Sequence, residues 1–311
     1  MTKRSGSKWI AGIGPAGSAA AAARKTLRRR LGNVWEMLQA AARRADESTE
    51  YVHQLRVSTR RALAALHGYL ELLPKKKAAK LEKRLNQIRK CAGTARDYDV
   101  LLQRLGDRDD AERMTPLVER LTDLRRAAQR PIVRLERKLQ QRDFGRSIKR
   151  VIKKVRAPKH RREMTFQDWA RVGISRSVDS FFAAAAADLS SIESLHAMRI
   201  EGKQLRYAVE YFADAFGPEL RTELYPEIER IQGLLGSVND HASALANYES
   251  WQAEWTEPEE SALLADLIAA ETVALDESRQ EFFRWWNPQR AAELQRKLHA
   301  VTQPPGHEEV A

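Results

Sequence analysis

Apolar residues recur at spacings of three and four along nearly the whole chain, and strict alternation of apolar and polar residues is almost absent. That period is the one that lines a single face of an α-helix, so the chain is predicted to be all-α. A first helix is predicted over residues 20–44, bent at Gly32. Asp46 and Ser48 can cap a second, which ends near Pro74. A third covers residues 75–105 with a change of direction at Gly93, and residues 106–110 form a turn. Long basic helices follow, with breaks expected at Pro131 and at residues 143–145. Further on, helices are predicted over residues 168–187, from a Ser190/Glu193 capping pair to Gly217-Pro218, and over residues 220–251. An acidic helical stretch with Trp285-Trp286 completes the pattern.

The pattern repeats at a constant offset of 143. Val52 matches Leu195, His53 matches His196, Leu55 matches Met198, and Arg56 matches Arg199. Arg60 then meets Lys203, Leu66 meets Val209, Ile88 meets Ile231, Gly93 meets Gly236, and Asp97 meets Asp240. A register held without a gap over this stretch signals duplicated supersecondary units. The expected organisation is a disordered basic tail (1–20), a first helical repeat (21–157), a second (158–303), and a frayed end (304–311). Pro158 lies in the linker, and the two bundles are expected to face each other about a pseudo-two-fold axis.

Charge gives this pattern a purpose. The 311 residues carry a net charge of +12, unevenly spread. Residues 1–155 hold 38 Lys and Arg against 16 Asp and Glu, whereas residues 156–311 hold 16 against 26. A first half at +22 implies a polyanionic partner or an anionic surface. The single cysteine, Cys91, excludes an intramolecular disulfide and fits a reducing, cytoplasmic setting. No run approaches the ~18 apolar residues of a membrane span, so no membrane partner is expected.

The basic residues with the clearest order follow the two histidines. With His53 at 0° on a wheel of about 100° per residue, Arg56 falls near 300° and Arg60 near 340°. The apolar set Val52, Leu55, Ala62 and Leu66 covers about 180° to 260°. The cations therefore border the buried stripe at the mouth of a groove. His196, Arg199, Lys203 and Arg206 repeat the arrangement beside Leu195, Met198, Leu205 and Val209. Thr59 and Gly202 occupy matching small positions where another helix could approach; if the two histidine helices pack together, their borders join. Each border is about 15 Å long, which suits an extended anion. Clustered cations repel unless an anion or acid neutralises them, and neither stripe has an acid at the compensating i+4 position.

The segments His53-x-x-Arg56-Val57-x-x-Arg60-Arg61 and Gly93-x-x-Arg96-Asp97-x-Asp99-Val100 resemble the CHAD domain, a conserved-histidine α-helical family. So do His196-x-x-Arg199-Ile200-x-x-Lys203-x-x-Arg206-Tyr207 and Gly236-x-x-Asn239-Asp240. The resemblance spans roughly residues 20–300. It implies two four-helix bundles with a basic central surface, binding of long-chain inorganic polyphosphate, and association with polyphosphate granules. The alternating Glu-x-Glu-x-Lys pattern of the triphosphate-tunnel enzymes that precede some relatives is absent, so a stand-alone module is expected.

The residues expected to bind polyphosphate are His53, Arg56, Arg60, Arg61, Arg84 and Arg89, with His196, Arg199, Lys203 and Arg206. Asp97 and Asp240 are expected to orient arginines or cap helix ends rather than to touch the ligand. Leu63 opposite Arg206, and Asn239 opposite Arg96, predict a lopsided site. Histidine protonation is expected to raise affinity as pH falls through roughly 6–7. A nucleic-acid-binding role is the alternative that the basic half favours, against which stand the missing aromatic platforms and DNA-reading helix. A polyphosphatase is the third. No P-loop, His-Glu-x-x-His or carboxylate-rich metal motif accompanies the histidines, so no catalytic residue, metal or cofactor is expected.

Overall fold

A computed structural model describes residues 8–45, 47–157 and 163–302. Every regular element among them is helical, ten α-helices with short 3₁₀ and π turns, as the three-four periodicity requires. The chain divides into two compact units, Ser18–Met164 and a second made of Ser7–Gly17 with Thr165–Ala311. The break falls at Met164/Thr165. The linker region at residues 158–162, the first seven residues and the frayed end lie outside the described residues.

In the first unit α1 (Ala19–Arg43), α2 (Glu50–Gly68), α3 (Lys75–Gly106) and α4 (Thr115–Gln141) pack in sequence, and α4 closes back on α1. A short α5 (Phe144–Ile152) lies against α1, α3 and α4. Their shared core draws on Leu27, Leu31 and Val34 of α1, Leu55 and Leu66 of α2, Leu85 and Ile88 of α3, and Ile132 of α4. The stop before α5 is local chemistry: Asp143 takes a left-handed φ of 50°, and its side chain accepts the Arg146 N–H.

In the second unit α6 (Phe166–Ala185), α7 (Ile192–Phe212), α8 (Tyr225–Glu254) and α9 (Pro258–Trp285) follow the same order, and α10 (Pro288–Thr302) packs on α6. Each unit thus adds a shorter fifth helix to four long ones. A π turn at Leu220–Leu224 leads into α8.

Several local expectations differ from what is found. Pro131 lies inside α4, which continues through it to Gln141. The buried stripe Leu117, Leu121, Ala128, Ile132 and Leu139 runs the length of that helix, and its packing outweighs the lost backbone hydrogen bond. Gly32 and Gly93 likewise sit within uninterrupted helices. The cap of α7 is Ser191, accepting from the Ser194 N–H, whereas Ser190 bonds to Asp188.

The disordered tail through residue 20 is not found where residues 8–20 are described. Ile10 is 1% exposed, its N–H donates to the Glu210 carbonyl, and the Ile13 N–H donates to the Asp214 carboxylate at 2.8 Å. Trp9 meets the Tyr225 ring edge-on, and α1 begins at Ala19 behind the cap Ser18. Glycines made this stretch look unstructured, yet Trp9, Ile10 and Ile13 give it enough apolar surface to dock on α7 and α8.

Close packing makes one glycine testable. A Cβ on Gly173 of α6 would stand 2.4 Å from Cε2 and 2.9 Å from Cζ of the fully buried Phe212 ring. Gly173→Ala is expected to cost about 1–3 kcal/mol of stability. Gly233→Ala, on an open face of α8 with nothing within 4 Å of the new methyl, should gain about 0.5–1 kcal/mol. Urea unfolding of both variants measures the difference; equal stability would mean that the α6–α7 contact is looser than described.

Candidate anion-binding site

The second helix is built as its wheel requires. Val52, Leu55, Ala62 and Leu66 are buried, while His53, Arg56, Arg60 and Arg61 are half-buried beside them. The cap position of the helix falls on Thr49, which makes no side-chain cap bond, rather than on Ser48, whose hydroxyl accepts the Glu50 N–H at 3.1 Å from one residue earlier. Arg56 reaches across to α3, where one terminal N–H group donates to the Gly93 carbonyl at 3.0 Å and to the Asp97 carboxylate at 2.7 Å. Its side chain is 24% exposed. An arginine fork has five N–H donors, so this anchor fixes the guanidinium and leaves donors for a ligand.

His53 stands among cations. Burial pushes its pKa below the ordinary histidine value, Arg96 of α3 adds to the shift, and Arg56 and Arg60 deepen it against an opposing pull from Glu50. Arg96 was not among the expected binding residues. Its signal lay in the Gly93-x-x-Arg96-Asp97 motif, because Gly93 and Asp97 both meet Arg56.

Arg89 is exposed on α3, seven residues from Arg96 and hence on the same side, about 10 Å along the axis. Arg84 is not brought to this group. It lies twelve residues from Arg96, about 18 Å along and 120° around α3, with its guanidinium over the Phe144 ring of α5 at 5.6 Å.

In the second unit Leu195, Met198, Leu205 and Val209 are the buried stripe of α7. Arg199 pairs with Asp240 of α8 at 3.6 Å, with its side chain 14% exposed. The arginine-orienting role expected of Asp97 and Asp240 is thus found in each unit. His196 is exposed, and its Nδ1–H donates to the Asn239 Oδ1 at 2.7 Å. Where His53 meets the cation Arg96, His196 meets a neutral amide. That is the physical content of the asymmetry read at Asn239. Beside it, α7 and α8 leave a groove of about 350 Å³ lined by Leu195, His196, Leu235, Val238 and Asn239.

Lys203 is half-buried on the same side. Arg206 is drawn inward: burial opposes its charge, but Tyr207, Glu210 and Tyr225 outweigh that penalty and raise its pKa. The guanidinium lies 5.1 Å from the Tyr207 ring centre. Glu210, 1% exposed, accepts the Tyr225 hydroxyl at 2.9 Å. Opposite Arg206 in the repeat, Leu63 is core.

The small positions serve neighbours within each unit. A Cβ on Gly202 would fall 2.2 Å from the Gln232 amide nitrogen of α8 and 3.2 Å from Phe181 of α6. Thr59 is buried and donates its hydroxyl proton to the Leu55 carbonyl.

Among the described residues no group of three or more His, Cys, Asp or Glu side chains could hold a metal ion. No described helix is long and apolar enough to cross a membrane. The chemistry the borders offer is that of part-buried guanidinium groups with imidazole donors, half-buried at His53 and exposed at His196, which favours oxyanions over neutral ligands.

A family model described as "CHAD domain" matches residues 26–249. No curated protein matches the chain. Among solved structures, the CHAD domain from the plant Ricinus communis is similar at TM-score 0.71 and 18% identity, covering 96% of this chain and 98% of its own. PptA from Streptomyces chartreusis is similar at TM-score 0.61 and 19% identity, covering 89% and 100%. At these identities the structural likeness concerns the fold.

Proposed function

Because the chain belongs to the CHAD domain family, we propose that it binds long-chain inorganic polyphosphate through the cationic borders of α2 and α7, without hydrolysing it. One observation carries the reading. In each unit the first arginine after the histidine is ion-paired to the aspartate at the matching repeat position of the next helix, Arg56 to Asp97 and Arg199 to Asp240. Such an arginine is held at the border before any ligand arrives, so little side-chain entropy is lost when phosphate oxygens bind.

Arg56, Arg60, Arg199 and Arg206 then supply fork-shaped donors and Lys203 a point charge. The reading also carries the family's implied location, polyphosphate granules in the cytoplasm, which imaging of the tagged protein with a polyphosphate stain would test.

Titration calorimetry with long-chain polyphosphate is the direct test. Binding is expected, with log K falling against log salt at a slope of about −3 to −4 if five cations displace counterions. A salt-independent or absent signal would reject the reading. Tighter binding of duplex DNA than of polyphosphate, at equal phosphate concentration, would favour nucleic acid as the partner, as the basic first half allows. Release of orthophosphate with added Mg²⁺ or Mn²⁺ would make the protein an enzyme.

The pH dependence has a defined sign. In the free protein His53 is held below its ordinary pKa, by burial first and then by Arg96, Arg56 and Arg60. A bound polyanion offsets those cations and raises it, so binding takes up a proton. Affinity therefore rises as pH falls through the bound-state pKa and levels off below the free-state value. Burial first, and Arg96 after it, set that free-state end below the ordinary histidine value. Arg96→Gln should shift the window upward. Flat affinity between pH 5 and 8 would remove His53 from the mechanism.

A further inference from the structure

The first unit holds a second group of cations, away from the histidine helix. Lys77, Lys80 and Arg84 share one stripe of α3 with Leu81, at helical spacings of three, four and seven. Arg150 and Ser147 face them from α5 beside Val151, and together these residues line a half-open cavity of about 200 Å³. No acidic side chain contributes to its lining. Among the described residues Lys77, Lys80, Arg84 and Arg150 enter no ion pair.

Three features set this cavity apart from an ordinary solvated basic face. It is concave, with Leu81 and Val151 as an apolar floor that keeps water from fully solvating the charges. Arg84 is fixed by its contact with the Phe144 ring, and Phe144 is itself fully buried and edge-on to Trp35. Burial, and then Arg142 at the end of α4, push the Arg84 pKa below the ordinary arginine value, the sign of a guanidinium whose charge is not offset. The half-buried Lys77 and Arg84 and the exposed Lys80 and Arg150 at the rim repel one another across this hollow, and a bound anion relieves that repulsion.

We propose that this α3–α5 cavity is a separate binding site for a compact anion of two or three phosphate groups. The volume sets the size, since it lies below the ~300–1,000 Å³ of pockets for drug-sized ligands. The charge sets the class: two lysines can turn their point charges to any oxyanion, whereas Arg84 and Arg150 present forks suited to paired phosphoryl oxygens. The Ser147 hydroxyl adds a neutral donor. About 18 Å of α3 separates Arg84 from Arg96, so a ligand filling this cavity does not reach the His53 border.

Tripolyphosphate is the probe, titrated calorimetrically into the full chain, into Lys80→Ala/Arg150→Ala, and into Arg56→Gln/Arg199→Gln. Wild type should bind it and the cavity variant should bind it at least about ten-fold more weakly, while the border variant, whatever it loses at α2 and α7, should keep the binding event that the cavity variant lacks. Lys80 and Arg150 are exposed, so the cavity variant should fold, and circular dichroism would verify the fold of both variants.

Long-chain polyphosphate at equal phosphate concentration distinguishes two sources of the same chemistry. Loss of tripolyphosphate alone assigns a free compact anion, and loss of both assigns a seat for the end of a chain. The inference is overturned if wild type does not bind tripolyphosphate, if the cavity variant binds it as wild type does, or if sulfate displaces it at equal concentration. Loss in the border variant alone would overturn the cavity while leaving the reading of α2 and α7 intact.

Discussion

Replacing Arg56 and Arg199 together with glutamine should weaken long-chain polyphosphate binding by about 10²-fold or more, the largest effect expected of any two residues. A hydrogen bond to a charged group contributes about 1.5–3 kcal/mol, and each 1.4 kcal/mol is a factor of ten in affinity. Glutamine keeps donor capacity and much of the stem, so the loss reports the charge and the fork. These two arginines are chosen because their geometry is fixed from behind, by Asp97 and the Gly93 carbonyl in one unit and by Asp240 in the other.

The same geometry supplies the control. If Arg56 serves the ligand, Asp97→Asn keeps an amide oxygen that still accepts from the guanidinium and holds it, while removing a competing negative charge, and should leave affinity unchanged or raise it a few-fold. If the pair serves only to hold α2 against α3, both substitutions should lower stability alike and neither should change affinity in the folded protein. Calorimetry at fixed salt, with unfolding curves of each variant, separates these outcomes. Wild-type affinity in Arg56→Gln/Arg199→Gln would end the assignment of the site to α2 and α7.

What the sequence made legible divides by range of interaction. The helices, their buried stripes and the border position of His53, Arg56 and Arg199 follow from spacing alone, because a helix fixes which residues share a face. The aspartates could be read as partners of arginines because both repeats retain them at one offset. Pro131 misled, since a local break signal carries no information about the stripe that α4 buries on either side of it.

Residues 8–17 misled for the same reason. Their glycines speak of chain freedom, while the buried backing that orders Ile10 and Ile13 comes from α7 and the turn that follows it, some two hundred positions on. Arg96 and Arg84 mark the limit within the site. Both are arginines of one helix, and only the identity of the neighbour, His53 for one and Phe144 for the other, assigns them to different surfaces.

The motif that carries Arg96 and Asp97 also contains Asp99, and here the expected result concerns the fold. Asp99 is 5% exposed, and one of its carboxylate oxygens accepts from Nε of Arg125 on α4 at 2.5 Å. Arg125 also donates to the Gln129 side-chain oxygen at 3.1 Å, and the Gln129 amide donates to the Ala41 carbonyl at 2.7 Å. This chain of bonds ties α3 through α4 to the end of α1. Asp99→Ala leaves the Arg125 guanidinium part-buried without its counter-charge, and should cost about 3–5 kcal/mol. At about 2–4 °C per kcal/mol for a body of this size, the first unit should melt about 6–20 °C lower.

Asp99→Leu combined with Arg125→Met should recover most of that loss, because replacing both charges with apolar groups removes the desolvation cost along with the attraction. The repeat explains why this aspartate belongs to the fold and its neighbour to the site. Asp97 keeps its counterpart in Asp240, whereas Asp99 stands opposite Ala242, so the second unit folds without such a pair. Polyphosphate affinity of the double variant should therefore match wild type wherever it is folded. A large affinity loss there would instead make Asp99 a positioning residue for Arg96, three positions before it on α3.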